Sequence, residues 1–350
     1  MIIFNFINIL YLLLLNFLLK NNNFFKHNKR FDRHKSVNKN LLIQSGGFFY
    51  LPAIFFLIFY FDYFKEIKLI YFAIVLVGFF LIGVFSDFKN ELSPSFRLLL
   101  HFILVLIFVY FNDFHIIKTN LSFIDFAIQN YFFKYFFTIF CILVFINGLN
   151  FTDGINVNSQ GYIIQIICSL IFITYNETGD LFANNLLTNF LIINLIFLVF
   201  NLFFNNIFGD GGIFVTGFFI SILVIYFINY SLFVSPLLAI LVLWYPAFEN
   251  LFSIIRKKIF KINPLKADTR HLHTLLLVFI SQKLPKESNK FHLNVSGLLM
   301  NLFFLPGFLI SINFYNNSEI LGYFTILNIL IYIIFYLKLF LYLKKIENKI

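Results

Sequence analysis

Four polar segments interrupt an otherwise apolar sequence, and their residue types suit one kind of chemistry. The first runs Gly83-Val84-Phe85-Ser86-Asp87-Phe88-Lys89-Asn90-Glu91-Leu92-Ser93-Pro94 and leads to Arg97. The second is Asn147-Gly148-Leu149-Asn150-Phe151-Thr152-Asp153-Gly154-Ile155-Asn156, and the third Asn205-Asn206-Ile207-Phe208-Gly209-Asp210-Gly211-Gly212. The fourth, inside a basic stretch, is Asn263-Pro264-Leu265-Lys266-Ala267-Asp268-Thr269-Arg270-His271-Leu272-His273. Aspartates are hard oxygen donors, and Mg²⁺ is usually held by one or two of them together with substrate phosphates. Such a metal spreads and orients the charge of a transferring phosphoryl group. Glycines beside Asp210 let backbone approach a phosphate closely. Asparagines offer both donor and acceptor to a uracil-like edge. Arg270 and the two histidines suit a diphosphate. Phosphoryl transfer is the chemistry these types share.

Each segment alone has a plainer reading. Asp87 and Ser93 suit helix caps, Asp153-Gly154 suits a turn, and Gly209-Asp210-Gly211-Gly212 is a weak glycine loop. His271 and His273 alternate, which is poor helical spacing for metal ligands. The combination, in order along the chain, carries the argument.

The elements that must position these residues are membrane helices. Of 350 residues, 60% are apolar or aromatic and 12% are charged, where a soluble domain carries roughly 25% charged residues. So few charges exclude a soluble enzyme, and so much apolar mass excludes intrinsic disorder. A bilayer core needs about 20 mostly apolar residues per helix. Eleven stretches qualify, about 1–20, 48–64, 67–86, 96–112, 129–147, 160–176, 182–204, 212–229, 232–254, 297–314 and 319–343, given helix ends uncertain by roughly two residues or more. The division within 212–254 rests on Asn229, Ser231, Ser235 and Pro236. The expectation is an all-α polytopic membrane protein forming a single domain over residues 1–350, its polar segments in loops. The first stretch lacks a basic start and a small-residue cleavage site, so it reads as a retained helix. Phe, at 57 residues, is a bias spread over all segments, and Cys141 and Cys168 read as inert fillers of apolar helices.

The net charge of +10 invites a nucleic-acid partner, but its distribution argues for no nucleic acid. Twenty-one of the 26 basic residues fall in the loops after the first, third and ninth stretches or in the C-terminal tail. The positive-inside rule makes those loops cytoplasmic and puts the N-terminus outside. All four polar segments then face the cytoplasm. Asp62, Asp113, Asp125 and Asp180 fall in outer loops as solvated residues, and Lys134 and Lys338 snorkel or pair.

The ordered set resembles the polyprenyl-phosphate N-acetylhexosamine-1-phosphate transferases, over roughly residues 26–275. Gly83 to Arg97 is similar to the family's Asp-Asp loop followed by Ser-Pro and Arg. Asn147 to Asn156 resembles its Asn-x-x-Asn-x-x-Asp-Gly-x-Asp motif, Phe208 to Gly212 its Gly-Asp-x-Gly loop, and Asp268 to His273 its His-x-His element. Gly46-Gly47 resembles its Gly-Gly at the start of the second helix. The resemblance implies transfer of a sugar-1-phosphate from a UDP-sugar to polyprenyl phosphate at the cytoplasmic face of a bacterial inner membrane, with release of UMP and with Mg²⁺ as cofactor. It implies that Asp210 binds the metal and that Asp87 sits by the metal or the lipid phosphate. Asp153 and Asn150 would shape the nucleotide site, and Gly154, Ile155 and Asn156 would line the base pocket. His271, His273 and Arg270 would contact the diphosphate or sugar, and Lys39 a phosphate.

Three positions depart from the pattern. Ser86 replaces the first Asp, Asn156 stands where Asp is usual, and Thr274 stands where some members have a third His. The first departure is similar to a subgroup making O-antigens and capsules, which implies an N-acetylated hexosamine or deoxy sugar. A base at position 86 is dispensable, because a phosphate monoester, with a second pKa of about 6, is already largely ionised near neutral pH. A homodimer is compatible with the sequence. Two other readings stay open: a transporter or flippase for an amphipathic anion, and an inactive family member serving as an assembly platform.

Overall fold

Apolar runs this long have one means of satisfying their backbone in a bilayer, and the chain uses it throughout. The computed structural model describes residues 2–21, 26–27, 42–61, 63–89, 92–177, 180–204, 206–261, 263 and 270–347. Its helices are α1 (Ile2–Asn21), α2 (Gly46–Tyr60), α3 (Leu69–Lys89), α4 (Pro94–Asn112), α5 (Ser122–Ala127), α6 (Tyr131–Thr152), α7 (Asn158–Glu177), α8 (Leu181–Phe204), α9 (Gly209–Tyr230), α10 (Leu237–Ile259), α11 (Leu272–Lys283), α12 (Asn289–Asn313) and α13 (Ser318–Glu347). Strands β1 (Lys26–His27), β2 (Leu42–Gln44) and β3 (Asn206–Ile207) form a small sheet in that order, the first pair antiparallel and the second parallel. The all-α polytopic architecture expected from composition is the one observed.

Each of the eleven predicted stretches corresponds to one of the longer helices, and α9 and α10 divide 212–254 as expected. Among the described residues, eight helices are long and apolar enough to cross a membrane by length and composition alone: α3, α4, α6, α8, α9, α10, α12 and α13. Helices α1 and α2 are apolar but shorter by that measure. Helix α7 has the length, but its first turns carry Asn158, Ser159 and Gln160. All three are buried against protein, where lipid does not penalise them.

Helix α9 is the centre of the bundle. Every residue from Gly209 to Ile228 is buried, the signature of a helix that is apolar all round. Helices α2, α3 and α6 pack around it. Its phenylalanines fill the space edge to face: Phe218 meets Phe108 with centroids 5.2 Å apart, and Phe219 meets Phe190 at 4.9 Å. Helices α4 and α13 instead turn rows of Leu, Ile and Phe outward, as a lipid-facing wall requires.

The loop positions expected for the polar segments need correcting. Ser86 and Asp87 lie in the last turn of α3, Asn147 to Thr152 in the last turns of α6, and Gly209 to Gly212 in the first turn of α9. These ends meet on one face. The opposite face gathers other polar groups. There the backbone carbonyl of His115 accepts from Asn229 Nδ2 at 2.8 Å, and Thr119 donates twice to Asp125. Asp113, near that end, accepts from the Tyr135 hydroxyl. Asp62 lies outside the described residues. Lys134 sits over the Tyr131 and Tyr135 rings, 5.4 and 4.9 Å from their centroids. Cys141 and Cys168 are free thiols.

The site-bearing ends come together because glycines let backbones touch. A Cβ on Gly83 would stand 2.3 Å from the backbone of Gly211, and one on Gly46 would stand 2.4 Å from the carbonyl oxygen of Phe208. A Cβ on Gly78, one turn and a half earlier in α3, would meet only the tip of the Leu104 side chain. Gly83→Ala is therefore expected to destabilise the protein by about 1–3 kcal/mol or more through overpacking, and Gly78→Ala to leave it near wild type. Thermal unfolding of the two variants in detergent checks this, and equal melting temperatures would contradict it.

Candidate active site

The site is built on the start of α9. Asp210, 4% exposed, uses both carboxylate oxygens. Oδ2 accepts from Ser86 Oγ at 2.6 Å and from Arg97 Nη1 at 2.9 Å, and Oδ1 accepts from Asn150 Nδ2 at 2.9 Å. The same Arg97 nitrogen donates to Ser86 Oγ at 2.9 Å, and its guanidinium lies 5.7 Å from the centre of the Phe214 ring, one turn along α9. Helices α3, α4 and α6 thus each send one side chain to a single carboxylate. Ser93, by contrast, has the plain role: it caps α4, accepting from the Phe96 amide.

Asp87 takes the other side of the helix end. Its Oδ1 accepts from the Asp210 amide at 3.0 Å and from Gln44 Nε2 at 3.0 Å, and its Oδ2 accepts from the Gly211 amide at 3.2 Å. An anion against the first amides of a helix meets both unpaired donors and the positive end of the helix dipole. Gly209 makes the approach feasible. It adopts φ 64°, and a Cβ there would come within 2.6 Å of Asp87 Oδ2.

Beside this pair the turn between α6 and α7 forms a pocket lined by Asp153, Gly154, Ile155 and Asn156 and closed by Asn201 and Phe208. Asp153 Oδ1 accepts from Ser159 Oγ at 3.0 Å, and Asn156 Nδ2 donates to Asn294 Oδ1 at 3.0 Å. Asn201 ties the pocket to the approach to α9. It accepts from the Val157 amide at 3.2 Å and donates to the Asn206 carbonyl at 2.7 Å.

The histidines stand over the end of α6. His271 and His273 stack with ring centres 5.6 Å apart and an angle of 2°, and Phe151 stacks on His271 at 5.2 Å. His271 Nδ1 lies 2.8 Å from Glu249 Oε1. His273 packs against Gly154, where a Cβ would stand 2.5 Å from Nε2. Helix α11 belongs to the segment between α10 and α12. Within it, burial pushes the His273 imidazole down to about 3, assisted by the neighbouring His271, so the ring is neutral at physiological pH. Its buried Nδ1 has no hydrogen-bond partner among the described residues. Arg270 is exposed, 5.9 Å from the Phe340 ring centre.

The expected residues Asp87, Asn150 and Asp210 thus share one network, while Asp153, Gly154, Ile155 and Asn156 share one pocket. His271 and His273 adjoin it. Lys39 and Asp268 lie outside the described residues. Among the described residues no group of three or more His, Cys, Asp or Glu side chains could hold a metal ion.

Residues 69–228, from the start of α3 almost to the end of α9, match the model of glycosyl transferase family 4. No curated protein matches the chain. The matched segment holds Ser86, Asp87, Arg97, Asn150, Asp153 and Asp210, so most of the network around α9 lies within it. Gln44 and the histidines lie outside it.

Sequence reasoning missed Gln44, Glu249 and Tyr332, whose hydroxyl donates to Glu249 Oε2. Gln44 carried no signal. Glu249 did carry one, being an acid inside a predicted span, where such residues are costly and functional by default. The network makes a stability prediction of its own. In Asp87→Asn, the amide nitrogen faces a backbone donor and charge-assisted bonds worth about 1.5–3 kcal/mol each are lost. The variant is expected to melt below the wild type in detergent, and an unchanged melting temperature would count against Asp87 as the cap of α9.

Proposed function

We propose that this glycosyl transferase moves a sugar-1-phosphate, of an N-acetylated hexosamine or a deoxy derivative, from a UDP-sugar to a polyprenyl phosphate such as undecaprenyl phosphate. UMP leaves and a lipid-linked surface glycan begins. The family supports a sugar-phosphate transferase acting on polyprenyl phosphate in general. The observation that carries the finer reading is the position of Asp210. A buried carboxylate at the start of the central helix is held by Ser86, Arg97 and Asn150, beside a pocket rimmed by asparagines.

In this reading an oxygen of the lipid phosphate attacks the β-phosphorus of the UDP-sugar. A P–O bond forms there, the bond to the bridging oxygen breaks, and UMP departs with that electron pair. The chain's own groups orient the partners. The pocket at Gly154, Ile155 and Asn156 receives the base, with Asn156 offering both donor and acceptor. Arg97 supplies fixed positive charge beside the reacting phosphates. Ser86 needs no basic character, since the attacking phosphate is already ionised. It serves as a hydrogen-bond bridge between Arg97 and Asp210.

The donor chemistry fits Mg²⁺. Asp210 and Asp87 are hard oxygen ligands, and a magnesium ion commonly takes one or two carboxylates and completes its shell with water and substrate phosphate. When bound, it would withdraw charge from the diphosphate. The cytoplasmic face of a bacterial inner membrane is the location this reading requires, with the basic segments on that side. A transporter would place its ionisable residues near the bilayer midplane, whereas Asp87, Arg97 and Asp210 lie at helix ends.

Purified protein given undecaprenyl phosphate, Mg²⁺ and a panel of UDP-sugars is expected to release UMP with one donor, and EDTA to abolish the release. Asp210→Asn is expected to lower turnover by about 10²-fold or more, the scale of losing a preorganised electrostatic group, while the protein still inserts and folds. Turnover equal to wild type in Asp210→Asn would remove the site assignment. No UMP from folded protein with any donor would overturn the proposed reaction.

A further inference from the structure

Glu249 is the most deeply buried acid in the described part of the chain, at 0% exposure in α10. Leaving a carboxylate there costs several kcal/mol unless partners repay it. Both its oxygens are used: Oε1 meets His271 Nδ1 at 2.8 Å, and Oε2 accepts the hydroxyl of Tyr332 from α13. Residues 271 and 332, from two other parts of the chain, therefore converge on this one carboxylate. None of the three residues lies within 69–228, so the family match assigns them nothing.

The arrangement determines what His271 can present. With Nδ1 committed to the carboxylate, the proton of a neutral ring resides on Nδ1 and Nε2 is left as the nitrogen available to a ligand. Nε2 has no hydrogen bond among the described residues. Two rings stack against the imidazole, Phe151 at 5.2 Å and His273 at 5.6 Å. Phe151 follows Asn150, which binds Asp210, and His273 abuts Gly154 of the pocket. The imidazole thus adjoins, through Phe151 and His273, the end of α6 that reaches Asp210 and the turn that lines the pocket. Tyr332 completes the clamp, since its donation keeps the second oxygen of Glu249 from seeking another partner.

We propose that Glu249 is a positioning residue for transfer: with Tyr332 it holds His271 in the Nδ1–H form and turns Nε2 toward the phosphates of the sugar nucleotide. This rests on the proposed function for its substrate, but the tautomer does not. Glu249→Gln keeps the size and one acceptor while removing the charge. For metal-bound histidines the orienting carboxylate contributes about 10–100-fold, and the lower end of that range is the scale expected here. The variant is expected to raise the KM for the UDP-sugar about tenfold, with a smaller change in kcat. Tyr332→Phe should shift KM in the same direction by less, and Glu249→Asp should restore part of the loss.

The decisive measurement is the ¹⁵N imidazole spectrum of the full-length protein labelled at histidine, with His271 assigned by its absence in His271→Asn. The expected result is one Nδ1–H tautomer in the wild type and a mixture in Glu249→Gln, together with about tenfold weaker binding of inorganic pyrophosphate by the variant. An unchanged tautomer and unchanged pyrophosphate binding in folded Glu249→Gln would overturn the proposal. A wild type that shows the tautomer and the binding but releases no UMP from any donor would leave the clamp standing and sink the proposed reaction alone.

Discussion

A helix that starts inside protein must find acceptors for its first amides, and in this molecule the start of α9 is where that constraint is met. Asp87 accepts from the amides of both Asp210 and Gly211. Because α9 is buried along nearly its whole length, its position is set by packing on all sides, and Asp87 sets where its first turn ends. The Asp210 side chain then has one direction left, toward Ser86, Arg97 and Asn150. Gly46, Gly83 and Gly209 are consequences of the same demand. Each stands where a Cβ would push the helix end away from the carboxylate or from a neighbouring backbone.

Charge at this end is balanced by the chain's own groups. Two carboxylates share one water-poor network, which is costly unless each has a partner of opposite sign or several donors. Asp87 is offset by the helix dipole and Gln44, and Asp210 by the Arg97 guanidinium, the Ser86 hydroxyl and the Asn150 amide. An aspartate at position 86 would have added a third negative charge within hydrogen-bonding distance of Asp210. Serine supplies a donor there instead, so the network closes with fewer charges and Arg97 can bond to both neighbours through one nitrogen.

Most of the bundle was legible in the sequence, and the helix ends were not. The spans follow from apolar length, because lipid accepts little else. Gly209-Asp210-Gly211-Gly212 reads as a loop by propensity, since glycine is a poor helix former. The contacts that make it a helix start lie on α2 and α3, where no local pattern can announce them. Asn147 to Thr152 misled in the same way: Asn147 and Thr152 bond back to carbonyls of α6 itself, and Asn150 finds Asp210 on α9. The motifs identified Asp87, Asn150, Asp153 and Asp210 by type and order, and the structure adds which oxygen meets which donor. Glu249 marks the other limit: its cost was readable from its place in a span, but its partners at positions 271 and 332 were not.

The end of α6 joins the parts of the site. Asn150 reaches Asp210, Phe151 stacks on His271, and Asp153 anchors the pocket turn through Ser159. Successive residues at a helix end point in different directions around its axis, which is how a single turn can serve three neighbours. That turn has little freedom to slide, because Gly148 brings α6 so close to α10 that a Cβ would stand 1.9 Å from the Pro246 carbonyl oxygen. Three residues further along α10 is Glu249, which holds His271. Backbone contact between α6 and α10 therefore fixes the distance between the network on α9 and the clamped imidazole. The spacing of these two parts is set by main-chain packing and not by flexible side chains, as the proposed transfer between two phosphates requires.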